Sequence, residues 1–217
     1  MSDSKKEKVV YFVRHGQSLG NISPEFQRLD SPLSEEGLEQ AEKIADRLTR
    51  ITFDGLICSP LVRTKQTCAA ITAKTHIEPL YSNLFVERIK PTGLEGKPHT
   101  DEEARAIWKD WNESLYVPGA RVGDGENYDD QIVRADAALQ FLEQRPEQAL
   151  VVVTHGYFLK TLFARALLGG TLTPDNFREL QTHAETENTG ISVLKCGDRF
   201  LGKAWYMWTY NDHAHLG

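Results

Sequence analysis

The chain has 217 residues, 40% of them hydrophobic and 26% charged, and carries a net charge of −6. That length suits one α/β domain with a sizeable core, and the acidic balance argues against a basic nucleic-acid-binding face while still allowing a local anion site. Three cysteines, Cys58, Cys68 and Cys196, are odd in number and form no CxxC pair, which argues against a disulfide framework or a structural zinc site and for buried thiols in a reducing compartment.

The opening MSDSKKEK is polar, lacks the apolar stretch of a signal peptide, and reads as a solvated tail. No run is long enough for a membrane span, so a cytoplasmic protein without membrane or nucleic-acid contact is expected. KVVYFV (8–13) is β-branched and continuously apolar, as a central strand is. Ser34 then caps a helix with Glu35 and Glu36 in its first turn and an apolar stripe of Leu38, Ala41, Ile44, Ala45 and Leu48. DGLICS (54–59) predicts a short second strand, and Ser59-Pro60 predicts the start of a helix running to about Lys74.

Residues 82–125 are rich in Pro and Gly and hold one predicted helix, around Asp101 to Leu115. We read this segment as a lid-like excursion from a single domain spanning 1–217. Asn127 caps the next helix and Pro146 ends it. ALVVV (149–153) is another buried strand, followed by a helix carrying Leu159, Leu162, Phe163, Ala166 and Leu167 and stopped by Gly169-Gly170. ISVLKC and LGKAWYMWT predict a hairpin turning at Gly197-Asp198.

Three apolar strands, each followed by a helix, predict a three-layer α/β/α sandwich with a mostly parallel central sheet. Such sheets bind ligands at the carboxyl ends of their strands. There this chain places Arg14-His15-Gly16, Ser59-Pro60 with Arg63 one turn on, and Thr154-His155-Gly156. Cation-capable side chains gathered at one edge need a counterion, and a phosphate dianion matches the arginine fork. The helix starting near Pro60 would add backbone donors.

The motifs RHGQSLGN, DSPLSEEGLEQA, CSPLVRTKQTC, GDGEN, VVVTHGYFLKTL and ENTGISVL together resemble, in order and over nearly the whole chain, the histidine phosphatase superfamily and its phosphoglycerate mutase-like branch. The resemblance implies that His15 is the nucleophile and forms a phosphohistidine. It implies that Arg14, Arg63 and His155 bind the transferring phosphoryl group, and that Asn21 adds a hydrogen bond. No metal or other cofactor is implied. Phosphoryl transfer is largely positioning and charge stabilisation, which an Arg/His cage can supply.

Glycine at 156 stands where the acid-phosphatase branch has an aspartate proton donor, so the donor must come from elsewhere. Glu87, in LFVERIKPTGLEGKP, matches the family's acidic element, with Glu95 as the competing candidate. Lys90-Pro91 departs from the mutase pattern at that point.

Three functions are compatible with this pattern: a phosphatase acting on a small phosphorylated metabolite, a mutase, and a non-catalytic phospholigand-binding module. The phosphatase is favoured because the chain is shorter than such mutases and lacks their long lid segment. Arg88 is a substrate contact, a lid contact or a surface residue; Trp108, Trp111 and Tyr116 pack the lid helix or line a pocket; His213 and His215 are expected to be exposed. Oligomeric state is not legible, and a homodimer is left open.

Overall fold

The protein is described by a computed structural model over residues 7–199 and 202–217. The strands are β1 (Lys8–Arg14), β2 (Gly55–Cys58), β3 (Pro79–Tyr81), β4 (Ala149–Thr154), β5 (Ile191–Arg199) and β6 (Gly202–Asp212). The helices are α1 (Leu19–Ile22), α2 (Glu35–Leu48), α3 (Val62–Thr75), α4 (Glu102–Ser114), α5 (Tyr128–Gln144), α6 (Gly156–Leu168) and α7 (Pro174–His183). The strands form one sheet in the order β3-β2-β4-β1-β5-β6. β3, β2, β4 and β1 pair in parallel, while β5 runs antiparallel to both β1 and β6.

Alternation along β1 builds the layers. Val10 and Phe12 face one side, where they pack with Ala135, Leu139 and Leu142 of α5 and with Phe158, Leu162 and Phe163 of α6. Val13, with Val9 and Tyr11, faces the other side, against Ile44, Ala45 and Leu48 of α2 and Cys68 and Ile71 of α3. The fold is therefore the expected three-layer α/β/α sandwich on a mostly parallel sheet. All three cysteines are buried. Among the described residues no helix is long and apolar enough to cross a membrane.

Several local expectations change. The helix expected from Pro60 begins at Val62, capped by Leu61 in extended conformation, because the Ser59 side chain is engaged elsewhere. Leu38 drops out of the α2 stripe and is 47% exposed. Gly197 and Asp198 do not turn the hairpin; they lie inside β5 opposite Ala204 and Lys203, and the chain reverses between Arg199 and Gly202.

Most of the predicted amino-terminal tail lies outside the described residues, but Lys8 is not solvated. Its Nζ donates to the carbonyls of Leu142 (2.8 Å) and Arg145 (2.5 Å), at the partially negative end of α5. Three elements were not predicted: the single-turn helix α1, the three-residue edge strand β3, and α7, whose Thr173 cap and Pro174 at the first position are an ordinary helix start.

The 82–125 excursion carries α4 and a small core of its own, with Leu94, Ala104 and Trp111 packed on Phe26. Trp111 donates through Nε1 to the Glu126 carbonyl (2.9 Å), and the Tyr116 ring lies 6.2 Å from that of Phe177. Both aromatics are therefore committed to packing. Arg88 is buried, bonds Asn112 and the Trp111 carbonyl, and stacks on the Trp111 ring, so it anchors α4.

Candidate active site

Because β2, β4 and β1 are adjacent in the sheet, their carboxyl ends open at one place. Backbone bonds continue the ladder past the strands: His15 N–H donates to the Thr154 carbonyl (3.0 Å) and Ser59 N–H to the Val153 carbonyl (3.0 Å). His15, Ser59, Arg63 and His155 are all buried there, and the two imidazole rings lie 5.1 Å apart between centroids.

The His15 ring is held in one tautomer. Nδ1 lies 2.7 Å from the Gly16 carbonyl, an acceptor, so Nδ1 carries the proton and Nε2 keeps the lone pair. Nε2 accepts from Arg63 Nε (3.2 Å). Burial, then the charges of Arg63 and Arg14, hold the imidazole well below its ordinary pKa. It is thus a neutral imidazole with a lone pair on Nε2. The His15 carbonyl is fixed by Asn188 Nδ2 (2.8 Å), and Thr189 N–H bonds the Arg14 carbonyl (3.0 Å).

Gly16 is required by close packing and not by a left-handed turn. A Cβ there would lie 2.4 Å from the Gly37 carbonyl oxygen, and one on Gly37 only 1.9 Å from that of Gln17. The turn after His15 is thus seated directly on the start of α2, and Gly16 N–H donates to Thr67 of α3 (3.1 Å).

His155 caps α6 from extended backbone. Its Nε2 lies 2.8 Å from Ser59 Oγ. Burial, then Arg63 and His15, depress its pKa well below the ordinary value. Arg14 donates to the Thr186 carbonyl (2.5 Å). Arg14 Nε and His155 Nδ1 are buried with no hydrogen-bond partner among the described residues. Buried polar atoms are normally paired, so two orphans in one cationic cluster fit an anion with several acceptor oxygens. Burial also pushes Arg14 down, and Arg63 down to about 10, with Glu87 opposing the shift in both. Glycine at 156 has a packing reason, because a Cβ there would press on Thr186 Oγ1 (2.9 Å) and Arg14 Nε (3.2 Å).

Glu87 sits at the start of α6, beside this cluster. Its Oε1 accepts from Arg88 N–H (2.9 Å) and Phe158 N–H (3.0 Å), while Oε2 accepts from Tyr157 N–H (3.3 Å). A carboxylate oxygen has two acceptor positions, so Oε2, with one bond, keeps a position open. The N–H groups of Tyr157 and Phe158, in the first turn of α6, thus orient Glu87.

Other expected residues have different duties. Glu95 accepts from Leu29 N–H (2.8 Å) and ties the excursion to the 28–30 loop. Asn21 shows no hydrogen bond to the cluster: its carboxamide oxygen accepts from Ser18 N–H (2.9 Å) and closes the single turn of α1. His215 is half-buried, not exposed, and bonds Arg47 and Thr189.

Ser59 was read from the sequence only as a helix cap, and Asn188 was not singled out, although both lie in quoted motifs. Lys90 was also missed as a charge near the site. Its ammonium is pushed down by burial and by Arg63, and up by Glu95 and Glu87.

The family pattern of the histidine phosphatase superfamily (branch 1) matches residues 10–209. A protein named probable phosphoglycerate mutase GpmB, from Photorhabdus laumondii, is 30% identical over 95% of this chain and 94% of its own. The fold resembles Bacillus stearothermophilus YhfR (TM-score 0.79, 24% identity, 97% of this chain and 100% of that one). It also resembles a mycobacterial glucosyl-3-phosphoglycerate phosphatase (TM-score 0.76, 22% identity, 95% and 100% covered). With its sequence matched almost end to end, the chain belongs to branch 1 of the histidine phosphatase superfamily.

Proposed function

We propose that the protein is a phosphomonoesterase that hydrolyses a small phosphorylated compound through a phosphohistidine on His15. The observation that carries this reading is the fixed tautomer of His15, whose one available lone pair lies among Arg14, Arg63 and His155. The phosphoryl group enters as a dianion. Arg14 Nε and His155 Nδ1 donate to its oxygens, and Arg63 Nε moves from His15 Nε2 to the incoming group.

Nε2 then attacks phosphorus in line, the P–N bond forms, and the P–O bond to the alcohol breaks. Glu87 Oε2 gives its proton to the departing alkoxide. In the second half, Glu87 takes a proton from water, the water oxygen attacks phosphorus, and the P–N bond breaks. Phosphate leaves and His15 returns to its starting tautomer. Glu87 borders an open cavity, which supports hydrolysis because water can reach the carboxylate.

Phosphoglycerate mutase activity is the second reading, favoured by the name of the GpmB relatives. The test is to incubate the protein with phosphomonoesters including 3-phosphoglycerate, measuring free phosphate and isomerised product together. Phosphate release is expected. Isomerisation faster than release would replace this reading with the second, and neither product would refute both.

A further inference from the structure

Next to Glu87 lies an open cavity of 580 Å³, walled by Leu29, Leu61, Leu84, Val86 and Ile89. It is contiguous with the phosphoryl-binding cluster. The Leu29 carbonyl accepts from Arg63 Nη1 (3.4 Å), and Leu61 is the residue that caps α3, two positions before Arg63. Glu87 forms part of the wall itself. If Glu87 protonates the leaving oxygen, whatever is attached to that oxygen must extend into this space.

The wall offers little to a second anionic group. Its one cation is Arg134, and that guanidinium is already committed. Nε and Nη2 donate to Glu126 (2.7 Å each), Nη1 donates to the Val86 carbonyl (2.8 Å), and one face covers the Phe158 ring at 3.7 Å. Glu87 adds negative charge. Lys90 is electrostatically linked to Glu95, Arg63 and Glu87 but does not line the cavity.

The rim, by contrast, is apolar where packing does not explain it. Leu29 is 49% and Ile89 44% exposed, and both line the cavity. Exposed apolar side chains gathered at a concave surface mark a place that covers an apolar ligand. The volume lies in the usual range for an organic ligand and is more than a three-carbon hydroxy acid needs.

We propose that this cavity receives the alcohol part of the ester, and that the substrate is a phosphomonoester of an extended, uncharged, apolar alcohol. This rests on the phosphatase reading and narrows it. Ser82 and Asn83 also line the cavity, and the Ser82 hydroxyl is engaged by Leu84 N–H (3.3 Å).

Primary alkyl phosphates test this at nearly constant leaving-group acidity. The comparison is kcat/KM for ethyl, hexyl and 3-phosphoglycerate esters, with p-nitrophenyl phosphate as a measure of phosphatase competence. Burial of hydrocarbon favours each added methylene about threefold, so hexyl phosphate, four methylenes longer, should exceed ethyl phosphate by about 80-fold, with 3-phosphoglycerate the poorest. Ile89→Ser, at a half-exposed position that should not endanger folding, should cut the hexyl-to-ethyl ratio about fivefold or more.

Phosphate release with a flat alkyl series, or with 3-phosphoglycerate preferred, would overturn the inference and leave the phosphatase reading standing. An unchanged ratio in Ile89→Ser would also overturn it. No release from any ester, p-nitrophenyl phosphate included, would overturn both.

Discussion

At the scale of single residues, the site works by fixing protons. The Gly16 carbonyl keeps the His15 proton on Nδ1, and the Tyr157 and Phe158 N–H groups in the first turn of α6 hold Glu87 with one position on Oε2 still open. If Oε2 is the proton donor, Glu87→Gln should depend strongly on the leaving group. Hydrolysis of an alkyl ester should fall about 10²- to 10³-fold, while that of p-nitrophenyl phosphate should fall about tenfold or less, since a phenolate leaves without help. Equal losses in kcat for the two esters would remove Glu87 from that role.

At the scale of elements, the segment carrying Glu87 is held from α5. The Glu126 carboxylate takes the Arg134 fork and the Ile89 N–H, while Arg134 reaches the Val86 carbonyl, so one ion pair grips the chain on both sides of Glu87. Both members are nearly buried, with side chains 12% and 11% exposed. Arg134→Ala would strand the Glu126 charge and should cost about 3 kcal/mol or more in denaturant unfolding. A change below about 1 kcal/mol would mean that the pair is not a structural clamp.

This clamp was not legible in the sequence, because Glu126 and Arg134 acquire meaning only when α5 packs against the 84–89 segment. What was legible followed local rules. The strands under Val10–Val13 and Leu150–Val153 announced themselves by continuous β-branched character, and Ser34 and Asn127 cap where their side chains said they would. Ser59 misled because its hydroxyl had two possible uses, a helix cap or the His155 ring, and only the tertiary fold chooses. The turn-closing bond from Ser18 N–H to the Asn21 carboxamide oxygen was likewise not announced by the sequence.

At the scale of the molecule, placing β4 between β1 and β2 gathers three strand ends, and the cost is two neutral histidines buried in a cationic cluster. Both folded pKa values are depressed, so below the ordinary value of 6.5 the unfolded chain binds protons that the folded chain does not. Stability therefore falls as pH falls through that range, by about 1.4 kcal/mol per pH unit for each histidine. His215, depressed to about 4 but half-exposed, adds a smaller, solvent-screened share. Guanidinium unfolding at pH 7 and pH 5 should show the loss, and His15→Asn should show a shallower slope. Equal stability at both values would contradict the burial of neutral histidines.

The central claim is that His15 Nε2 carries the phosphoryl group. The most direct measurement is to quench the protein during turnover of a labelled phosphomonoester and locate the label by peptide mapping. We predict an acid-labile, alkali-stable phosphoryl group on Nε2 of His15, formed at a rate compatible with turnover and absent from His15→Gln. Label on another residue, or a His15→Gln protein that retains turnover within about tenfold of the wild type, would contradict the account.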